Sequence, residues 1–468
     1  PIIRQAKKQG DLPARLKFLI NQGEDRGGKL IADTLLPMLA YAARRVPEIS
    51  DHLYDVDNAL RWGFAKDLGP FQMWDAIGVA EGVKLMQDRD LHVADWVHAM
   101  LAAGNTTFYR KNDGAEQVFS PVTLAYETVP QSQWAIDLDE LRASGKEVAR
   151  NDSASLIDLG NGVLCFEFHS KMNALDSDIN AMGMQAMELL KDDTWVGMVV
   201  GNQGSDFCIG ANIFMIMLAA QSEQYDQIDD LVHQGHQLMM AMRYSPKPVV
   251  TAPFGRVLGG GAEVVMHGGR VCAAAETYIG LVEVGVGLIP GAGGVKEFVR
   301  RVITPAMKAP DADPTPYLQR VFEQIGMAKV GGSAFEAREH GFITDADRIV
   351  MNAADVLGRA KQFVLDLAES GYTPPAKEKL YAAGRDGLAA MRVGVWMMQQ
   401  GGFITEYDAA IGNKLAYVIA GGDLSGPQWV DEEYFLDRER EAFLQLVREP
   451  KTMERIVYML QNNKPLRS

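Results

Sequence analysis

The apolar positions of the first hundred residues recur three or four apart, as in Val93, Trp96, Val97, Met100 and Leu101. This spacing is typical of a helix that buries one face. Gly69 and Pro70 interrupt the pattern, which predicts two helices joined by a turn. Residues 1–105 are therefore predicted to form a helical domain.

Between residues 106 and 152 the pattern loosens. Two short strand-like pieces, 117–119 and 122–126, precede a polar and charged run that begins at Asp137. We interpret residues 106–152 as a connection between domains. The alternative is that the short strands pack against one neighbouring domain.

The remaining residues, 153–468, are predicted to form a second domain. It opens with two alternating runs around Gly160, Asn161 and Gly162, the pattern of a β-hairpin. Further strands and helices are expected at 178–192, 196–201, 225–243 and 248–253, followed by a helix that opens at Gly259. Their irregular alternation favours stacked ββα units over a regular parallel βαβ sheet.

The last part of the chain is predicted to be mostly helical. Residues 301–335 hold four prolines among charged residues and are predicted to be a surface insertion. Helical sequence then runs from Ala334 to the end. The final helix, 432–460, is dense in charges of both signs, so we expect it on a surface or against a partner subunit.

Composition narrows the functional class. A chain of 468 residues favours two or three domains, and a net charge of −15 argues against a nucleic-acid partner. Three cysteines without metal-ligand or redox spacing are typical of buried thiols in the cytoplasm. No run reaches the ~18 uncharged apolar residues of a membrane span. The chain opens at Pro1 rather than methionine, so we expect a fragment of a longer protein.

Two glutamates carry the candidate chemistry. Glu263 and Glu283 stand 20 positions apart, each in a glycine-rich surround. Two carboxyl groups in one low-dielectric site resist ionising together, so their pKa values separate and they can divide acid and base roles. The glycines let a ligand carbonyl approach bare backbone N–H groups, which stabilise a developing oxyanion. These features predict an enzyme that adds or removes water.

Four motifs occur in order between about residues 155 and 300, namely Lys171–Leu175, Phe207–Asn212, Gly259–Glu263, and Glu283 followed by Ile289–Gly294. With these motifs the segment resembles the crotonase (enoyl-CoA hydratase/isomerase) family. The resemblance implies an α/β crotonase fold and an enoyl-CoA substrate, to which water adds to give the 3-hydroxyacyl-CoA. One departure is Asn212, where the family more often has aspartate.

The resemblance also implies roles for individual residues. The N–H groups of Ile209 and Gly260 would form the oxyanion hole, with Gly260 at the positive end of a helix dipole. Glu263 would deprotonate the attacking water and Glu283 would protonate carbon 2, although coupling through a shared water leaves the reverse division open. The other implied substrate-binding residues are Asn173, Ala174 and Leu175, which would contact the CoA adenine through backbone groups, and Gly210, Ala211, Gly259, Pro290 and Gly291.

A second resemblance covers residues 55–64 and 68–78, which look like the C-terminal helical domain of L-3-hydroxyacyl-CoA dehydrogenases. In that family the NAD-binding domain lies upstream, and this sequence shows no Rossmann fingerprint. The whole chain is similar to the C-terminal part of bacterial two-function β-oxidation proteins. The resemblance implies an all-α 3-hydroxyacyl-CoA dehydrogenase C-terminal-like domain before the crotonase fold. It implies no cofactor in this chain, with NAD bound only by a missing N-terminal domain.

Two other functions stay open. A Δ3-Δ2 enoyl-CoA isomerase would use Glu283 alone as a proton shuttle, but the presence of Glu263 favours hydration. A non-catalytic assembly module would use its helical ends to hold a larger complex.

Metal and partner expectations complete the prediction. His233 and His236 stand three apart on a predicted helix without further ligands, so we expect helix-surface residues and no metal. The resemblance implies a homo-oligomer, with trimer and dimer both open, and a thiolase as a partner in β-oxidation. The sequence does not indicate the acyl chain length.

Overall fold

The computed structural model describes residues 2–22, 25–112 and 114–466. The chain forms two compact units, which divide between Gln131 and Ser132. Within the described residues no helix is long and apolar enough to cross a membrane.

The described part of the first unit contains seven helices. They are α1 (Ile2–Ala6), α2 (Leu12–Ile20), α3 (Arg26–Arg45), α4 (Leu53–Gly63), α5 (Pro70–Ile77), α6 (Val79–Gln87) and α7 (Asp95–Ala102). The predicted break is confirmed, because α5 begins at Pro70 with Gly69 as its N-cap residue. Proline is favoured at the first helical position, where its missing N–H is not needed.

A three-stranded antiparallel sheet completes the first unit. It consists of β1 (Tyr109–Asn112), β2 (Ala115–Ser120) and β3 (Ala125–Thr128), in that order. Phe108, Val118 and Phe119 are buried in the same core as the helices. Residues 106–152 are therefore not a plain connection, and the first unit is not all-α. The alternative prediction, that the short strands at 117–119 and 122–126 pack against one neighbouring domain, agrees with this sheet.

Two aspartates, the buried Asp57 and the partly buried Asp75, join the helices of the first unit to its sheet. Asp57 accepts hydrogen bonds from the N–H groups of Phe71 and Gln72 and from the Tyr109 hydroxyl. Asp75 accepts from the N–H groups of Phe108 and Tyr109 at 2.7 and 2.8 Å. Burial raises the pKa of Asp57 to about 6 and that of Asp75 to about 7, against the lowering effect of these donors.

The strands of the second unit form two sheets and one pair. They are β4 (Glu147–Arg150), β5 (Ala154–Asp158), β6 (Val163–Phe168), β7 (Gly197–Val200), β8 (Val249–Thr251), β9 (Arg256–Leu258), β10 (Arg270–Ala274), β11 (Tyr278–Gly280), β12 (Val330–Gly331), β13 (Arg348–Val350), β14 (Leu380–Ala382) and β15 (Gln428–Val430). The large sheet has the order β13-β10-β8-β7-β6-β5-β4, the small sheet β12-β11-β9, and β14 pairs with β15.

The α-helices of the second unit are α8 (Leu138–Ala143), α9 (Ser177–Leu189), α10 (Ile213–Gln221), α11 (Tyr225–Arg243), α12 (Gly260–His267), α13 (Gly294–Phe298), α14 (Thr304–Ala306), α15 (Thr315–Gly326), α16 (Ala334–His340), α17 (Val356–Glu369), α18 (Gly384–Gln400), α19 (Glu406–Ile419), α20 (Glu432–Val447) and α21 (Pro450–Asn462). Short 3-10 helices occur at Lys171–Asn173, Glu283–Val286 and Ala353–Asp355, and a π-helix at Val299–Ile303.

The predicted hairpin is confirmed, since β5 and β6 pair antiparallel. The φ angles of Gly160, Asn161 and Gly162 are 82°, 60° and 74°, a region that glycine and asparagine tolerate. The strands β6, β7, β8, β10 and β13 then run parallel in the large sheet. Chain-consecutive strands alternate between the sheets, because β8 is followed by β9 and α12, and β10 by β11. This alternation agrees with the predicted stacked ββα units.

Two predictions for the last part of the chain are wrong. The segment 301–335 is not a surface insertion, because α15 within it buries Leu318, Val321 and Ile325. The final helix is two helices, and proline at the start of α21 marks the break between them. One face of α20 is buried, and its members are Glu432, Phe435, Leu436, Glu439, Ala442, Phe443, Leu446 and Val447. The density of charge hid this face in the sequence.

Candidate active site

Glu263 lies on α12 and is buried, with 2% of its surface exposed. The helix begins at Gly260 after Gly259, whose φ of 53° favours glycine. The Oε1 atom of Glu263 accepts hydrogen bonds from the N–H groups of Ala292 and Gly294, both at 2.7 Å. Burial raises the pKa of Glu263 to about 7, while these two donors and Lys296 lower it.

Glu283 begins a 3-10 helix and faces the same site. A Cβ atom at Gly259 would lie only 3.0 Å from Glu283 Oε1, so the carboxyl group packs against the backbone at the start of α12. Its Oε2 atom is buried and, among the described residues, has no hydrogen-bond partner. Burial, and then the charge of Glu263, raise the pKa of Glu283 well above its usual range. The structure thus brings the two predicted glutamates together.

The two segments expected to supply the oxyanion hole run side by side. Leu258 N–H donates to the Cys208 carbonyl at 2.9 Å. A Cβ atom at Gly210, whose φ is 102°, would lie 3.4 Å from the nitrogen of Gly260. Within the described residues, the N–H groups of Ile209 and Gly260 donate to no backbone carbonyl. This geometry leaves both N–H groups available, and their catalytic role stays a prediction.

The stretch Asn173–Leu175 is already engaged in backbone hydrogen bonds. Its three N–H groups donate to the carbonyls of Ser170, Lys171 and Gly210. The buried Asn173 side chain donates to the Asp206 carbonyl at 2.8 Å. Any ligand contact through the backbone here would therefore use carbonyl oxygens.

The remaining predicted contacts lie around the same turn. Leu175 forms a parallel bridge with Ala211, which places the first motif beside the second. Pro290 is buried. A Cβ atom at Gly291 would meet the Phe443 ring at 2.9 Å, so α20 packs on the glycine turn.

The two histidines of α11 have different surroundings. His233 is exposed, as predicted, but His236 is buried and the helix-surface prediction is wrong for it. Its Nε2 atom lies 3.9 Å from Glu439 Oε1. The pKa of His236 is lowered to about 3, mainly because the imidazole is buried. Among the described residues, no group of three or more His, Cys, Asp or Glu side chains could hold a metal ion.

Sequence reasoning missed a third buried carboxyl group. Glu439 of α20 is fully buried and accepts hydrogen bonds from the N–H groups of Gly293 at 2.5 Å, Val295 at 3.0 Å and Lys296 at 3.3 Å. Burial, and then the charge of Glu263, raise its pKa well above the usual range. The only available signal was the 3.6-residue spacing of apolar residues on α20, on which Glu439 stands among phenylalanines.

A buried lysine behind Glu263 was also missed. The Lys296 ammonium group donates to His267 Nε2 at 2.9 Å, Glu297 Oε1 at 2.8 Å and Glu432 Oε2 at 3.0 Å. His267 Nδ1 in turn donates to the Glu263 carbonyl at 2.7 Å. The three donors of the ammonium group therefore meet three acceptors, as a buried charge requires. This network fixes the end of α12 that follows Glu263.

The family comparison agrees with this site. Residues 162–304 match the family model described as enoyl-CoA hydratase/isomerase. The chain carries an enoyl-CoA hydratase/isomerase domain. Glu263 and Glu283 both lie inside the matched segment of this domain, whereas Glu439 lies outside it.

The chain is similar to parts of longer proteins. A Bacillus subtilis (strain 168) protein named "Probable 3-hydroxyacyl-CoA dehydrogenase" is 41% identical over 468 residues, 100% of this chain and 58% of that protein. A Rickettsia felis protein named "Putative fatty acid oxidation complex trifunctional enzyme" is 26% identical over 92% of this chain and 52% of its own length. The chain thus spans 58% and 52% of these two curated relatives.

A solved enoyl-CoA hydratase from Bacillus halodurans overlaps 65% of this chain and 99% of its own, with 14% identity and a TM-score of 0.45.

Proposed function

We propose that this chain catalyses the syn addition of water to trans-2-enoyl-CoA, which gives 3-hydroxyacyl-CoA. The observation that carries the proposal is the presence at one site of two glutamates, the buried Glu263 and the partly buried Glu283, each with a raised pKa. The pKa of Glu263 is raised to about 7, so this group reaches its carboxylate form near neutral pH. The pKa of Glu283 is raised well above its usual range by burial and by Glu263, so this group keeps its proton. One member can act as base while the other acts as acid.

The proposed reaction uses both groups and two backbone donors. The Glu263 carboxylate removes a proton from water as the water oxygen bonds to carbon 3. The electrons of the double bond move towards the thioester carbonyl, whose oxygen accepts hydrogen bonds from Ile209 and Gly260 N–H. Glu283 gives its proton to carbon 2, and proton transfer between the two carboxyl groups restores the starting state. The partly unsatisfied Glu283 carboxyl group supports its role as the proton donor.

The test is the ultraviolet absorbance of a conjugated enoyl-CoA, which is lost when water adds across the double bond. We expect the absorbance to fall with the wild-type chain and to change little with Glu263→Gln or Glu283→Gln. An isomerase acting alone, or a non-catalytic module, would leave the absorbance unchanged. An unchanged absorbance with the folded wild-type chain would overturn hydration as the function.

The name of the Bacillus subtilis relative supports a second activity for a longer protein that contains this chain. We propose that such a protein also oxidises 3-hydroxyacyl-CoA with NAD, within a fatty acid oxidation complex such as the Rickettsia name describes. Hydride transfer requires NAD held against the 3-hydroxyl group. An NAD site of the Rossmann type has a strand, then a glycine-rich turn, then an acidic residue about 20 positions further on. This sequence does not contain that pattern. We therefore expect no NADH from the chain as printed, and NADH formation by this purified chain would contradict the proposal.

A further inference from the structure

The turn between Gly291 and α13 connects two carboxyl groups. The N–H groups of Ala292 and Gly294 donate to Glu263. Those of residues 293, 295 and 296 donate to Glu439. Five successive N–H groups are thus divided between two side chains, so the position of one carboxyl group depends on the turn that the other holds.

The backbone of this turn is tightly packed against neighbouring side chains. Gly293 has a φ of 97°, and a Cβ atom there would lie 2.8 Å from His267 Cε1. A Cβ atom at Gly294 would lie 2.9 Å from Glu263 Oε1. Backbone pressed this closely between side chains transmits a displacement rather than absorbing it.

Helix α20 contacts the turn at three points along its length. Phe443 packs on Gly291 at one end of the turn. Glu439 accepts the N–H groups in its middle, and Glu432 accepts a hydrogen bond from the Lys296 ammonium group at its other end. These three residues lie on the buried face of α20.

We propose that Glu439 is a positioning residue for Glu263: it fixes the turn whose N–H groups hold the catalytic carboxylate. The readout of this role by turnover rests on the proposed hydration. Both Glu439 oxygens accept N–H donors, so loss of either oxygen leaves a donor of the turn unpaired.

The groups that face Glu439 come from several elements. Glu263 of α12 and Glu283 are carboxyl groups whose ionisation a like charge opposes. Lys296 of α13 is a cation that favours the ionised form of Glu439. His236 of α11 lies near Glu439 Oε1, and its pKa is lowered, so it is neutral at working pH. Since the N–H donors of Ala292 and Gly294 lower the pKa of Glu263, a displaced turn should raise that pKa.

Two substitutions test this role. Glu439→Asp keeps a carboxyl group but withdraws its oxygens by one methylene, so we expect kcat to fall by about 10²-fold, the cost of a ~1 Å misplacement. Glu439→Gln turns an NH₂ group towards the N–H donors and displaces the turn, so we also expect the acidic limb of the kcat/KM profile to move to higher pH, because the N–H groups that lower the pKa of Glu263 are weakened. KM should change little in both variants. Glu433→Gln, an exposed residue of the same helix, is the control and should behave as wild type.

A purely structural role would give a different result. Such a role predicts a lower melting temperature and a smaller active fraction, with unchanged kcat per folded molecule and an unchanged pH profile. Folded Glu439 variants with wild-type kcat and pH profile would overturn the proposal.

A second measurement decides the question without catalysis. The ¹³C carboxyl signal of Glu263, assigned by its loss in Glu263→Gln, can be titrated in the wild type and in Glu439→Gln. We expect its midpoint to move to higher pH when Glu439 is replaced, because the N–H donors that lower the pKa of Glu263 are displaced, and an unchanged midpoint would overturn the proposal. If the wild-type chain fails to hydrate enoyl-CoA, the proposed function fails, while this titration still tests the role of Glu439.

Discussion

Replacement of Glu263 by glutamine is the most direct test of the site. The amide oxygen can accept the same two N–H groups, from Ala292 and Gly294, that the carboxylate accepts at 2.7 Å. The shape of the side chain is nearly unchanged, and the cost of burying a charge disappears. We therefore expect the fold to be retained, with the free energy of unfolding changed by about 1 kcal/mol or less.

The effect on turnover should be large. The amide cannot take a proton from water, and loss of a general base costs about 10² to 10⁴ in rate. At about 1.4 kcal/mol per tenfold change, the loss corresponds to roughly 3 to 5.5 kcal/mol of transition-state stabilisation. The charge of Glu263 also raises the pKa of Glu283, so its removal should lower that pKa.

The wild-type pH profile gives a matching signature. Because burial raises the pKa of Glu263 to about 7, kcat/KM should fall on the acid side of about pH 7 as the base becomes protonated. In Glu263→Gln this acidic limb should disappear, and the alkaline limb, which requires protonated Glu283, should move to lower pH.

The assay is the loss of enoyl-CoA absorbance, with substrate affinity measured separately by calorimetry. Glu276→Gln, an exposed residue of the same domain, is the matched control and should retain the wild-type rate. If Glu263→Gln bound enoyl-CoA normally and hydrated it at nearly the wild-type rate, Glu263 would not be the base.

Three further predictions follow from other contacts. Glu283→Gln should keep the fold and lose about 10² to 10⁴ in turnover, measured in the same assay, and an unchanged rate would remove it from the mechanism. Gly294→Ala places a Cβ atom 2.9 Å from Glu263 Oε1 and 3.0 Å from Leu281 Cδ1, so stability should fall by about 1–3 kcal/mol and kcat should fall with it. Gly394→Ala, whose Cβ atom would have no neighbour within 4 Å, should show neither loss in the same thermal melts and assays. Asp75→Ala leaves two buried N–H groups unpaired, so urea denaturation should show a loss of about 3 kcal/mol for the first unit, against little change for the exposed Asp67→Ala.

The elements nearest Glu263 and Glu283 were predictable because the residues that determine them are close together in the sequence. The hairpin follows from Gly160, Asn161 and Gly162, where positive φ angles are favoured by those residues. The helix predicted at 225–243 has the bounds observed for α11. The pairing of Glu263 with Glu283 was predictable because glycine-rich turns follow or precede both glutamates in the sequence.

The parts that sequence reasoning missed depend on distant contacts. Nothing near Glu439 in the sequence indicates the turn at 293, because the hydrogen bond between them spans 146 positions. His236 looked like a surface residue because its neighbours on α11 are polar, and only the packing of α20 buries it. For the sheet at 109–128, two short strands were predicted but their place stayed open between connection and domain, because their apolar residues become a buried face only when helices cover them.

The hydrogen bonds from the turn at 292–296 to Glu439 of α20 also set the order in which the site can form during synthesis. A ribosome releases the chain from its N-terminus, so the turn at 292–296 emerges long before Glu439. Until α20 docks, the N–H groups of Gly293 and Val295 must donate to water. The turn that holds Glu263 therefore stays solvated. The surroundings of Glu263 therefore form only after α20 has been made. A nascent chain that does not yet contain α20 should therefore lack the ordered turn that holds Glu263.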